Sequence, residues 1–195
     1  MQLSQSKLQL RAGQRVMILG GLVALLWLIE VFDLLWWGPP LDHFGIRPRT
    51  VAGLRNIFFA PFLHAGFGHL IANTIPFLVL GWLVSLYSLR HFWEVTLISA
   101  LVSGLAIWLL GSPYTVHLGI SGVIFGYLGY LLVRGYRERS PLALGLAVVA
   151  FLFYGGMVWS LLSWQPGVSW LGHTFGFLGG AWAASAHTGK PRLRG

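Results

Sequence analysis

The stretch Gly119-Ile120-Ser121-Gly122-Val123-Ile124-Phe125-Gly126-Tyr127-Leu128-Gly129-Tyr130-Leu131-Leu132-Val133 carries no charge and stops at Arg134. A helix crossing about 30 Å of hydrocarbon needs roughly 20 mainly apolar residues at about 1.5 Å each. This run, 119–133, falls short of that length, yet it is flanked by five more apolar runs. Runs 16–37, 68–89 and 92–110 precede it, and runs 142–164 and 170–187 follow it. Together they predict an all-α membrane protein, a six-transmembrane-helix bundle whose fourth helix is short and starts near Ser121. Residues 38–67 form a long first loop with Pro39, Pro40, Pro48 and Pro61 among aromatics such as Phe44, Phe58, Phe59 and Phe62. A loop of this length is expected to be partly structured and to lie in the membrane interface. With no internal repeat or linker, residues 1–195 are expected to form one membrane domain.

Composition agrees with that reading. The 195 residues are 56% hydrophobic and 9% charged, too few charges to solvate a soluble surface. The absence of Cys removes disulfides, Cys-ligated zinc and thiol nucleophiles together. The net charge of +8 does not imply a nucleic-acid partner, because the basic residues stand in short segments between apolar runs. Lys7, Arg11, Arg15, Arg90, Arg134, Arg137, Arg139, Lys190, Arg192 and Arg194 fall on one side of the expected bundle. Only Arg47, Arg49 and Arg55 fall on the other. By the positive-inside rule both termini are cytoplasmic. The first run follows basic residues as a signal peptide would, but it continues to Trp36-Trp37 without a small-residue cleavage site and is read as a retained span.

The residues that hydrocarbon penalises fall into three groups: His64, His69 and Asn73; Gly119-Ile120-Ser121-Gly122; and Gly172-His173 with Gly176 and Gly180. Ser121 stands about 20 Å of helix from Arg134, while Asn73 and His173 stand about 25 Å from Arg90 and Lys190. All three groups are thereby expected at similar depth in the outer half of the bilayer. His173, Gly176 and Gly180 share one helical face, and Gly122, Gly126 and Gly129 make a smooth strip beside Ser121. Small residues at such spacing let membrane helices pack closely. That packing is expected to bring the Ser121 hydroxyl within reach of the His173 imidazole, as a serine nucleophile and its general base require. None of Glu30, Asp33, Asp42, Glu94 and Glu138 matches His173 in depth, so a Ser-His dyad is expected rather than a triad. His69 and Asn73, one turn apart, and the Ser121 amide at a helix start are candidate donors to an oxyanion. The same residues also have plainer readings, as interhelical hydrogen bonds for His69 and Asn73 and as a packing face for Gly176 and Gly180. His43, His91, His117 and His187 fall in loops or at helix ends and are given no role.

The ordered set His64-Ala-Gly-Phe-Gly-His69-Leu-Ile-Ala-Asn73, then Gly119-Ile-Ser121-Gly122, then His173-x-x-Gly176-x-x-x-Gly180 resembles the rhomboid family of intramembrane serine proteases. The six-run frame, the short fourth run and the long first loop fit the same family, so the resemblance covers roughly residues 55–184. It implies Ser121 as nucleophile, His173 as general base, and His69, Asn73 and the Ser121 amide as the oxyanion site, with His64 structural. It implies no metal or other cofactor, and a water-filled cavity open to the outer face. The substrates implied are membrane proteins cleaved in or beside their transmembrane segments, with small residues before the cut and helix-destabilising sequence nearby. Two positions depart from the family pattern. Leu54 rather than Trp precedes Arg55, and Phe125 rather than Tyr lies four residues after the serine, where it can stack on an imidazole but offers no hydroxyl.

The resulting expectation is a multi-pass serine endopeptidase of a bacterial inner membrane, with both termini cytoplasmic and no nucleic-acid partner. A catalytically silent relative that binds transmembrane segments is the first alternative, although such relatives usually lose the serine or the histidine. A proton-coupled transporter using His69, Asn73 and His173 is the second, against which stand the lack of an embedded acidic relay and of repeat halves. Metalloprotease and aspartyl chemistries lack their motifs here.

Overall fold

The structure, a computed structural model, describes residues 2–161 and 169–188, with side chains over 11–159 and 169–188. Residues 162–164 of the fifth apolar run, the Lys7 side chain, and Lys190, Arg192 and Arg194 lie outside the described residues. The helices in chain order are α1 (Gln2–Leu35), α2 (Val51–Asn56), α3 (Phe67–Ser85), α4 (Leu89–Leu110), α5 (Ser121–Glu138), α6 (Pro141–Tyr154) and α7 (Trp170–Thr188). Short 3-10 turns occupy Leu41–Phe44, Ala60–Phe62 and Gly155–Leu161. Among the described residues the only strand-like pairing is an isolated antiparallel bridge between Ile46 and His117.

Among the described residues, four segments are long and apolar enough to cross a membrane: Arg11–Leu35, Phe67–Ser85, Leu89–Leu110 and Pro141–Trp159. Helices α5 and α7 are not among them. Arg134, Arg137 and Glu138 end α5, and Gly, Ala and His dilute the hydropathy of α7. Helix α5 instead occupies the middle of the bundle, buried on every side from Gly122 to Leu131, and α7 packs against α5 and α4 while leaving Leu178 and Trp182 exposed. The core around α5 is dense and mostly apolar, with Leu70, Phe77, Phe92, Val95, Ile124 and Leu128 inaccessible to solvent. Tyr127, fully buried, meets its polar requirement through a 2.6 Å hydrogen bond with Thr96 Oγ1 on α4.

Local chemistry sets the helix boundaries. Ser88 and Ser140 cap α4 and α6 by accepting from the amides of His91 and Ala143, and Pro141 occupies the first turn of α6. Arg139, in the left-handed conformation, closes α5. Helix α1 lies along α3, where the Trp27 indole donates to Thr74 Oγ1 and Arg15 Nε donates to the Ser85 carbonyl.

The loop between α1 and α3 is ordered by its own hydrogen bonds. Thr50 caps α2 through the Gly53 amide, and buried Asn56 donates to the Gly45 carbonyl. The loop docks onto the segment before α5, because Ile46 and His117 exchange both backbone hydrogen bonds and the Gly119 amide donates to the Ala60 carbonyl. The first loop thereby braces the chain immediately ahead of Ser121.

Candidate active site

Ser121 is the first residue of α5. The chain reaches it through Gly119, whose φ of +111° is costly for a residue with a side chain. A Cβ at Gly119 would also stand 2.8 Å from Cε1 of His69, so the imidazole of α3 lies directly against the backbone leading to the serine. Asn73, one turn further along α3, is buried and donates through Nδ2 to the His69 carbonyl at 3.0 Å. That bond uses one of its two amide protons.

His173, in the first turns of α7, lies with Nε2 3.0 Å from Ser121 Oγ. Its Nδ1 is buried and has no hydrogen-bond partner among the described residues. The ring is instead held by Phe125, which stacks on it at 4.2 Å between centroids and 19° between planes. An imidazole nitrogen at this distance can accept the hydroxyl proton as the oxygen attacks an electrophile.

Glycines determine how closely α5 and α7 approach. A Cβ on Gly176 would collide with the Gly122 carbonyl, and one on Gly180 would collide with the Gly126 carbonyl. A Cβ on Gly122 would press on Ser103 Oγ of α4, and one on Gly126 would clash with Ser99 of the same helix. Backbone-to-backbone packing on one face and a serine-lined neighbour on the other fix α5 between α4 and α7. Beside Ser121 lies a cavity of about 30 Å³, lined in part by Pro61, Ser103, His117 and Ser169, with room for a water molecule.

Residues 52–188 match the family model described as the rhomboid domain. The chain belongs to the rhomboid family. Relatives in Mycobacterium tuberculosis and Mycobacterium bovis, both described as uncharacterized proteins, are 44% identical to it over 170 residues, covering 83% of this chain and 70% of theirs. A Mycobacterium leprae protein, also described as uncharacterized, is 43% identical over the same length and is covered to 67%. The all-helical architecture, its apolar helices and this membership make it a membrane protein with bacterial relatives.

Three histidine environments in this rhomboid chain are visible only once it is folded. His117 is one: its Nδ1 lies 2.9 Å from Ser169 Oγ, at the entrance to α7. Burial lowers its pKa from the ordinary histidine value. His64 is the second, for a resemblance offers no environment. It is 2% exposed, neither ring nitrogen has a hydrogen-bond partner among the described residues, and burial with His69 nearby lowers its pKa to about 4.

The third lies at the opposite end of the bundle. His91 of α4 and His187 of α7 stack at 4.2 Å, and His187 Nε2 stands 2.9 Å from Glu94. His91, Glu94 and His187 are near enough to share a metal ion. Arg134 of α5, however, donates to His91 Nδ1 at 3.1 Å while paired with Glu138 and lying over the Tyr87 ring. A guanidinium can only donate, so it occupies the lone pair of His91 and sets a positive charge beside that ring. The cluster is better suited to clamping three helices together than to holding a metal. The spacing His91-x-x-Glu94 was its signal in the sequence, and only α7 supplies the third member.

Proposed function

We propose that this rhomboid protein is an intramembrane serine endopeptidase that hydrolyses peptide bonds in or near transmembrane segments of membrane proteins. The single observation that carries the reading is the 3.0 Å approach of His173 Nε2 to Ser121 Oγ across two helices packed glycine to glycine. Ser121 Oγ attacks the scissile carbonyl carbon while His173 Nε2 takes its proton. The oxyanion so formed is stabilised by the Ser121 amide, by the free amide proton of Asn73, and by His69 beside Gly119. Collapse of the tetrahedral species passes the proton from His173 to the leaving amine, and water then releases the acyl group by the reverse sequence. The Phe125 stack takes the orienting part that a carboxylate plays in a triad.

In this reading residues 1–195 form one domain of six transmembrane helices, with a short fourth helix beginning at the nucleophile. Both termini are cytoplasmic in a bacterial inner membrane, on the side that holds Arg15, Arg90 and Arg134. Ser121 then opens toward the outer face, and substrates reach it laterally from the lipid. The decisive experiment is labelling of detergent-purified protein with a serine-directed fluorophosphonate, beside Ser121→Ala and His173→Ala. Labelling of the wild type alone is the expected result. Binding of transmembrane segments with no labelling of the wild type would point instead to a silent, segment-binding relative.

A further inference from the structure

Two Ser-His contacts, not one, join the start of α5 and the segment ahead of it to the start of α7 and the residue before it. Ser121 meets His173 at 3.0 Å and His117 meets Ser169 at 2.9 Å, and each pair spans the same 52 residues of chain. In the second pair the roles of the two segments are exchanged. The histidine now stands four positions before Ser121, and the serine four positions before His173.

The protons of the second contact can be assigned. The Thr115 hydroxyl donates to the Ser112 carbonyl at 2.7 Å, so its oxygen can only accept from His117 Nε2, 2.8 Å away. His117 is therefore the tautomer protonated at Nε2, and its Nδ1 lone pair accepts the Ser169 hydroxyl proton. Ser169 Oγ in turn accepts from the Gly172 amide at 3.3 Å, and the Ser169 carbonyl accepts from the His173 amide at 3.0 Å. Ser169 thus satisfies open amides at the start of α7, and His117 fixes the rotamer in which it does so. His117 is itself held by its two backbone bonds to Ile46, so the clamp reaches back to the first loop.

We propose that His117 is a positioning residue, which through Ser169 sets the first turn of α7 and so the placement of the His173 imidazole against Ser121. The inference rests on the serine-hydrolase reading above. Its physical basis is that a general base about 1 Å out of place can lose on the order of 100-fold in rate. A histidine held by stacking, with no carboxylate on Nδ1, relies on the backbone beneath it for that placement.

The test compares wild type with His117→Phe, His117→Asn, Ser169→Ala and the His117→Phe/Ser169→Ala double variant. The rate of fluorophosphonate acylation and the kcat and KM for a model transmembrane substrate are the first readouts. His117→Phe and Ser169→Ala are each expected to lower acylation rate and kcat about 10- to 100-fold with KM little changed. His117→Asn, whose amide oxygen can stand where Nδ1 stood, is expected to recover most of the loss. The double variant should be no slower than the slower single one, since both cut the same link. Wild-type acylation rates in His117→Phe, equal losses in His117→Asn and His117→Phe, or losses that multiply in the double variant would overturn the proposal. Amide hydrogen exchange at Gly172 and His173 gives a readout independent of activity. Faster exchange at these two amides in His117→Phe and Ser169→Ala supports the clamp, and unchanged protection overturns it. If the wild type neither labels nor cleaves, the hydrolase reading fails by itself, and the exchange data still decide the clamp.

Discussion

The Phe125 ring lies nearly parallel to the His173 imidazole, 4.2 Å away, on the helix that begins with Ser121. One helix thereby supplies both the hydroxyl that faces His173 Nε2 and the surface that keeps the ring turned toward it. Aromatic stacking of this kind contributes about 0.5–1.5 kcal/mol beyond burial. Replacing Phe125 with Leu should therefore lower the cleavage rate of a model transmembrane substrate about 3- to 10-fold, by letting the imidazole swing. Rates of Phe125→Leu equal to wild type would remove the stack from the account.

The α5/α7 seam makes a sharper demand. Gly176→Val places a branched side chain against the Gly122 carbonyl, and overpacking of this kind costs about 1–3 kcal/mol. The variant is expected to insert into the membrane, to unfold at a lower temperature in detergent and to lose activity, because α7 moves away with His173. Gly145→Ala is the matched control, since a Cβ there meets nothing within 4 Å. Thermal unfolding and substrate cleavage, measured on both variants, separate the seam from a general intolerance of glycine replacement.

Asn73 has one amide proton committed to the His69 carbonyl, which aligns the other. Loss of a single oxyanion donor lowers kcat by about 100- to 1,000-fold. Asn73→Ala should approach that range in kcat, with a smaller change in KM, and unaltered turnover would remove Asn73 from the oxyanion site.

His64 supplies a pH dependence of stability rather than of rate. Its pKa of about 4 in the folded protein lies below the ordinary value of 6.5, because burial and neighbouring His69 disfavour the charged form. Between those two values the unfolded chain binds the proton more readily than the folded one, so stability falls as pH drops from about 6.5 toward about 4. The thermal midpoint of wild type should decline across that window. His64→Leu should show a shallower decline, and parallel profiles for the two proteins would show that another group is responsible.

The helical segments and the polar residues among them are properties of the sequence alone. Hydrophobic runs have local causes, namely side-chain chemistry and the rise per residue, so α1, α3 and α4 could be outlined from composition and spacing. Ser121, His69, Asn73 and His173 were legible for a related reason, since a polar group in an apolar run is costly unless it is used. The first loop was legible only as long and partly ordered. Its hold on the chain ahead of Ser121 comes from backbone hydrogen bonds such as Ile46 with His117, which no side-chain pattern encodes.

Register between helices belongs to the tertiary structure. The glycine strips implied close packing, but the pairing of Gly176 with Gly122 and of Gly180 with Gly126 is fixed by which carbonyls leave no room for a Cβ. That register sets the 3.0 Å between Ser121 and His173. It also brings together residues that the sequence holds far apart and gives no common motif, such as His117 with Ser169 and His91 with His187. Periodicity is written within one helix. Contact between helices depends on the shape of both at once, so only the folded chain decides it.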